Sequence, residues 1–238
     1  MEFRERLVGT LRLLRPLFDI PGVLVVGSEV PNLLEPGAAA TLIVSQDVDI
    51  GVPLDVHGRL KDALAGIQGL RPSREEPSVW LPEDKELLEV NFLGIDLSIQ
   101  NVDESRLVDD PELPLMVFGP LSLLRPGGRV DVGGVSAPVP ALPGLLLEKL
   151  VTERSGAKGD RDLLVALGLL LLARKEELAE TCRLFRTLTA EARHSIRSNL
   201  TVLSLMDAIP GMPDPQPHRR FIVDLLRALE GEDQGGKP

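Results

Sequence analysis

The 238-residue sequence contains a single cysteine, Cys182, so a disulfide within the chain is excluded. It opens without a recognisable signal or transit peptide, and we therefore expect a reducing, cytoplasmic setting. The longest run that lacks polar side chains, residues 163–173, is too short to cross a bilayer, which takes about 20 residues. These absences predict a cytoplasmic protein without a membrane partner.

Tyrosine is missing altogether, and aromatic residues make up only 3% of the chain. Basic residues are outnumbered by acidic ones, with a formal net charge of −10 that lies entirely in residues 1–140. Affinity for nucleic acid rests on Lys and Arg, and single-stranded bases stack on aromatic side chains. This composition excludes a general nucleic-acid binder and mildly favours a small or protein-borne substrate.

Several ligand-binding motifs are also absent. The sequence has no internal repeat, no Walker A loop and no G-x-G-x-x-G segment. None of the three histidines has a cysteine or a second histidine at metal-ligand spacing, so we expect no zinc site.

What is present is a candidate site in the segment from Val23 to Pro53. An apolar run ends at Gly27-Ser28, and Pro31 follows where the first turn of a helix accepts it. The pattern predicts a strand, a tight turn and a helix start, with Ser28 at the helix N-terminus. A hydroxyl and unpaired backbone N–H groups at that position favour binding of a phosphate.

A second β-rich run, 41–45, leads into Asp47-Val48-Asp49-Ile50. Side chains alternate along a strand, so Asp47 and Asp49 are predicted on one face and their apolar neighbours on the other. Two adjacent carboxylates repel each other unless a cation lies between them. Hard oxygen ligands of this kind suit Mg²⁺, which binds a few carboxylates together with substrate phosphates.

This combination resembles the signature of the nucleotidyltransferase superfamily that includes DNA polymerase β. The wording Ser45-Gln46-Asp47-Val48-Asp49-Ile50 is similar to the S-x-D-h-D-h motif of bacterial stand-alone nucleotidyltransferases, including abortive-infection-type toxins. The resemblance implies transfer of a nucleoside monophosphate from ATP or another NTP to a hydroxyl. It implies that Asp47 and Asp49 hold Mg²⁺ and that Gly27 and Ser28 bind the phosphates.

The same resemblance predicts a third carboxylate on a neighbouring strand. The V-D-h-L motif of similar proteins corresponds here to Val90-Asn91-Phe92-Leu93, so Asn91 occupies the position of the acid. Glu89, on the same strand face, or Asp96, on the opposite face, are the candidate substitutes. The departure matters because the third acid helps to take the proton from the attacking hydroxyl.

A second motif cluster resembles the h-h-K-L segment and K-x-x-[KR]-D-h helix start of such enzymes. Lys149, Lys158 and Asp162 match those positions. The resemblance implies that Lys149 neutralises charge on the leaving pyrophosphate and that Lys158 contributes to nucleotide binding. The alternatives are that Lys149 extends from a surface helix into water and that Asp162 caps a helix.

The predicted fold class is α+β. We expect a nucleotidyltransferase-type mixed sheet flanked by helices over residues 1–140, a helical domain over 141–230, and a disordered tail over 231–238.

Three functional hypotheses remain open. The first is a Mg²⁺-dependent nucleotidyltransferase that modifies RNA, a protein or a small molecule, as a toxin with a partner antitoxin in one version. The second is a degenerate nucleotidyltransferase fold that binds a nucleotide or a partner without turnover, for which Asn91 is the reason. The third is an unrelated α+β protein in which Asp47 and Asp49 are ordinary exposed carboxylates. The sequence does not indicate which NTP is used, which acceptor is modified or what the oligomeric state is.

Overall fold

The computed structural model describes residues 3–34, 47–152, 156–210 and 212–233. The described chain divides into two compact units, one formed by residues before 142 and the other by Leu142 and the residues that follow. The first unit is built from strands and helices, and the second is helical.

The first unit contains all nine described strands and three helices. The helices are α1 (Phe3–Leu13), α2 (Val30–Leu34) and α3 (His57–Leu64). The strands are β1 (Leu24–Val26), β2 (Asp47–Pro53), β3 (Leu70–Pro72), β4 (Val79–Pro82), β5 (Glu89–Ile95), β6 (Ser105–Val108), β7 (Leu115–Phe118), β8 (Pro126–Val132) and β9 (Val135–Pro140).

Seven of these strands form one mixed sheet, as predicted. β1, β2, β5, β4 and β3 lie side by side, β7 pairs with the second half of β5, and β6 pairs with β7. The central pair, β2 and β5, is parallel, and β1 runs antiparallel to β2. β8 and β9 form a separate hairpin.

Alternating side chains give the first halves of the two central strands one apolar face and one polar face. Val48 and Ile50 of β2 and Val90 and Phe92 of β5 have no exposed surface. Asp47, Asp49, Glu89 and Asn91, on the other face, are half-buried or exposed. Burial of the apolar face therefore decides which side of the sheet carries the acidic residues.

The N-terminal helix is shorter than its apolar spacing predicts. The periodicity suggests one helix through Phe18, whereas α1 ends at Leu13 and residues Arg15–Asp19 form a 3-10 turn. Pro16 explains the break, because it lacks the N–H group that a continuous helix would use.

Thr10 joins α1 to the start of β5. Its hydroxyl donates to the carbonyl of Arg6 at 2.9 Å and accepts the backbone N–H of Leu88 at 2.8 Å. Thr10 and Leu88 are both completely buried. The hydroxyl therefore satisfies a buried backbone donor just before the strand that carries Asn91.

Helix α3 is held by the loop that precedes β7. His57 Nε2 lies 2.9 Å from the carbonyl oxygen of Leu113, and Lys61 Nζ lies 2.7 Å from Asp110 Oδ2. The hydrogen bond from Lys61 holds the pKa of the Asp110 carboxyl well below its usual range, and Asp110 raises the pKa of Lys61. His57 thus makes a structural contact, away from the candidate site.

A pair of glycines forms the turn of the β8–β9 hairpin. Gly133 and Gly134 have φ angles of +60° and +81°. A two-residue turn with both central residues in the left-handed region matches the twist of paired strands, and glycine adopts that region at low cost.

The second unit is a set of five helices within the described residues. They are α4 (Leu142–Val151), α5 (Gly156–Leu172), α6 (Lys175–Thr187), α7 (Ala190–Leu205) and α8 (Arg219–Asp233). Helix α4 is buried along its whole length and contacts α5, α6 and α7. No helix in these described ranges is long and apolar enough to cross a membrane.

The last helix, α8, extends past residue 231, where the disordered tail is predicted to begin. Helix α8 continues to Asp233, and residues 234–238 lie outside the described part of the chain. Each residue added to an existing helix gains a backbone hydrogen bond, which accounts for the extension past Gly231.

We predict that Thr10→Val lowers the free energy of unfolding by about 1–3 kcal/mol, because the buried Leu88 N–H loses its acceptor. The matched control is Thr201→Val. Thr201 makes the same bond to the carbonyl four residues earlier, that of Arg197, but it is exposed. We expect that variant to change stability by less than about 0.5 kcal/mol in urea unfolding. Equal losses in the two variants would contradict this role of Thr10.

Candidate functional site

The acidic pair lies at the start of strand β2. Asp47 and Asp49 are two residues apart on one strand and therefore share a face, as predicted, and both are half-buried. Ser45 and Gln46, which complete the motif, lie outside the described residues.

Asn91 lies directly across from this pair. Asp49 is the register partner of Asn91, and Asp47 is the partner of Glu89. The amide nitrogen of Asn91 donates to Asp47 Oδ2 at 2.8 Å and to Asp49 Oδ1 at 3.0 Å. One neutral side chain therefore bridges both carboxylates.

The chemistry of an amide explains this arrangement. An NH₂ group has two hydrogens, so Asn91 can give one to each carboxylate. Its carbonyl oxygen would be repelled by the same two groups. Bonds to charged acceptors are also stronger than bonds between neutral groups. Asn91 thus offsets part of the repulsion between Asp47 and Asp49 without adding a charge.

The turn after β1 approaches the same acidic pair. Val26, the last residue of β1, is the register partner of Asp49, and Gly27 follows with a φ angle of +83°. A methyl group built on Gly27 would overlap Asp49 Oδ2 and lie 3.1 Å from the carboxyl carbon. Glycine is therefore required both by the backbone conformation and by the close approach of the carboxylate.

Ser28 lies in this turn and is half-buried. The prediction that a helix begins directly at Ser28 is only partly right. Residues Gly27–Glu29 form a 3-10 turn, and α2 starts at Val30. Glu29 is buried, with 1% of its surface exposed, and the sequence pattern did not single it out.

Glu89 remains a candidate for the missing acid, whereas Asp96 does not. Glu89 is exposed and shares the strand face of Asn91. Asp96 lies beyond the far end of β5, about 16 Å along the strand from Asn91. There it accepts hydrogen bonds from Ser98 and Arg106, which lower the pKa of its carboxyl.

Within the described residues, no group of three or more His, Cys, Asp or Glu side chains is placed to hold a metal ion. The acidic pair still fits a magnesium ion in one respect, because Asp47 and Asp49 offer hard carboxylate oxygens on one face beside a glycine turn. A Mg²⁺ site here would be completed by phosphate oxygens from a substrate. Asp47 and Asp49 are the residues that would hold it.

Lys149 and Lys158 belong to the second unit. Lys149 and Glu148 are both buried, and Lys149 Nζ lies 3.2 Å from Glu148 Oε2. This buried ion pair contradicts the alternative that Lys149 extends from a surface helix into water. The backbone of Lys158 lies in the first turn of α5, and its side chain is outside the described part of the chain.

Asp162 is not the N-cap of α5. The helix starts six residues earlier, at Gly156, and Asp162 is buried within its second turn. The roles that the resemblance gives to Asp162, Lys149 and Lys158 stay predictions.

Comparison with solved structures defines the fold. The crystal structure of an antigenic nucleotidyltransferase-like protein from Paracoccidioides brasiliensis matches with a TM-score of 0.51 and 12% sequence identity, over 95% of this chain and 93% of that chain. The solution structure of the antibiotic-resistance factor ANT(2″)-Ia matches with a TM-score of 0.42 and 11% identity, over 83% of this chain and 96% of that chain. The second score is below what a shared fold requires.

At such identities the likeness establishes the fold alone. No protein-family model matches the sequence, and no curated protein matches it. The chain has a nucleotidyltransferase-type fold, which confirms the predicted fold class.

We predict that Gly27→Ala destabilises the protein by at least about 1 kcal/mol more than Gly134→Ala does. The two glycines have nearly equal φ angles, +83° and +81°, so alanine brings similar backbone strain to each, about 1–2 kcal/mol. A methyl group on Gly134 meets nothing within 4 Å, whereas on Gly27 it collides with Asp49. Urea unfolding measures the difference. Equal losses would mean that the turn does not press against the carboxylate.

Proposed function

We propose that this chain is a Mg²⁺-dependent nucleotidyltransferase, which moves a nucleoside monophosphate from an NTP to a hydroxyl group. The observation that carries the proposal is the convergence of Asp47, Asp49 and the Gly27 turn. They meet at neighbouring strand ends of a nucleotidyltransferase-type sheet. Ordinary exposed carboxylates, the third hypothesis, do not account for a glycine turn built against one of them.

In this proposal Asp47 and Asp49 hold the cation, and the Gly27-Ser28 turn receives the phosphates. A bound Mg²⁺ would place positive charge beside the phosphate oxygens. It would so stabilise the negative charge on the phosphate group that is transferred. The Ser28 hydroxyl donates to a phosphate oxygen. Asn91 orients the two carboxylates through its bonds of 2.8 and 3.0 Å.

The reaction forms a bond between the acceptor oxygen and the α-phosphorus, and it breaks the bond to the bridging oxygen of the leaving pyrophosphate. The acceptor hydroxyl must lose its proton. Asn91 cannot accept that proton, because an amide is not a base at neutral pH and its NH₂ group already donates to the carboxylates. We assign the proton to Glu89, the exposed carboxylate beside Asn91 on the same strand face.

The acceptor in this proposal is a small molecule or a protein side chain in preference to RNA. Residues 1–140, which contain the acidic pair, carry the whole net charge of −10. A long phosphate backbone would be repelled by that charge. RNA is tested as an acceptor beside the two favoured classes.

A second candidate function is nucleotide or partner binding without turnover. It is favoured by the amide of Asn91, which stands where the third acid is expected and donates instead of accepting. A general base contributes about 10²–10⁴-fold to a rate, so its loss would leave binding with little catalysis.

We predict that binding of an NTP and binding of Mg²⁺ depend on each other through Asp49. Asp49→Asn, or removal of the metal, should weaken NTP binding at least about tenfold, or roughly 1.4 kcal/mol, in calorimetry. Asp55→Asn is the matched control, because it removes the same charge from an exposed position two residues beyond the end of β2. Metal-independent binding, or equal effects of the two variants, would overturn the site assignment.

A second prediction separates the enzyme from the binding protein. With radiolabelled NTP and a panel of RNA, protein and small-molecule acceptors, the wild type should transfer label slowly. Glu89→Gln should lower transfer at least about 10²-fold if Glu89 is the base, with nucleotide binding unchanged. If no acceptor is labelled by the wild type or by Asn91→Asp, while the NTP still binds, the binding function is the correct one.

A further inference from the structure

Asn91 decides how many oxygen atoms and how much charge surround the acidic pair. The position opposite Asp49 holds a neutral side chain where a third carboxylate would add a negative charge. The amide also turns hydrogens towards Asp47 and Asp49, at 2.8 and 3.0 Å, and not an oxygen. A cation is repelled by those hydrogens, so the Asn91 side of the pair is unsuited to a metal ion.

Rotation of the amide would not easily repair this. The nitrogen and oxygen of Asn91 lie on opposite sides of one carbon, so presenting the oxygen means breaking both charge-assisted hydrogen bonds. Asn91 can keep both of these bonds if a cation binds elsewhere on the carboxylates.

The geometry of Asp49 indicates on which side of the carboxylates a cation would bind. Asp49 uses Oδ1 for the amide, and its other oxygen, Oδ2, is the atom that faces Gly27. The two oxygens of one carboxylate are thus directed to two different neighbours. The Gly27 side is the side on which the nucleotide phosphates are proposed to bind.

Two divalent cations held about 3.5–4 Å apart act together in many phosphoryl-transfer sites. Here the donor set suits only one. We infer that Asn91 makes this a one-cation site, in which Asp47 and Asp49 take a single divalent ion together with the nucleotide and the amide keeps a second ion out. This inference rests on the proposed function and extends it.

The number of divalent cations bound at the site can be counted directly with Mn²⁺. Electron paramagnetic resonance measures Mn²⁺ bound to the protein, alone and with each of four non-hydrolysable α,β-methylene NTP analogues. For the wild type we expect one Mn²⁺ per bound analogue. Without an analogue, Mn²⁺ should bind at least about tenfold more weakly, because the phosphates supply the remaining ligands.

Asn91→Asp should bind two Mn²⁺ per analogue, because it removes the NH₂ group and adds a carboxylate between the pair. Asn101→Asp is the matched control. Asn101 is exposed in the same unit, and its side-chain oxygen accepts the N–H of Asp103, a bond that aspartate retains. This control adds the same charge away from the site and should still bind one ion.

Two Mn²⁺ ions per analogue in the wild type would overturn the inference, whatever the variants do. One ion in both the wild type and Asn91→Asp would show that Asn91 is not the residue that excludes the second. Failure of every analogue to bind would overturn the proposed function itself. That result differs from failure of the inference alone, in which the analogue binds with two ions.

Discussion

The parallel pairing of β2 with β5 is the constraint on which the candidate site depends. Val48 and Ile50 on one strand and Val90 and Phe92 on the other are completely buried, and they are direct register partners. A slip of one residue would turn one strand's buried side chains to the opposite face. The hydrophobic face therefore holds the register that sets Asp49 opposite Asn91.

Other contacts secure the same two strands. Thr10 satisfies the backbone N–H of Leu88 at the entry to β5, which ties the first helix to the sheet. The paired contacts of His57 and Lys61 hold α3 against the loop that leads to β7. The first of these contacts lies at the start of β5, next to Glu89, whereas the other two lie beyond the far end of β2.

The interaction of Asn91 with the acidic pair connects the two functional hypotheses. As a donor, the amide reduces the repulsion between two carboxylates, which would favour a stable binding site. It also removes a base from the position where the superfamily resemblance places one. Whether the chain is an enzyme thus depends on another proton acceptor, and the exposed Glu89 on the same strand face is the carboxylate proposed for that role.

The sequence by itself determined the features that depend on local periodicity. Alternation set Asp47 and Asp49 on one face, paired glycines gave the β8–β9 turn, and the helical C-terminal region followed from its leucine spacing. In each case the relevant residues are near neighbours along the chain, so their geometry follows from the strand or helix that contains them.

Only the tertiary structure decided the contacts between residues far apart in sequence. The bonds from Asn91 to the acidic pair span more than 40 residues, and the approach of Gly27 to Asp49 needs the register of β1 with β2. The pairing of Lys149 with Glu148 was also missed, although the two are adjacent, because burial of the whole of α4 is what brings the charges together. The physical reason is common to all three. A sequence pattern specifies which face of an element is apolar, but burial and strand register specify which polar groups then meet.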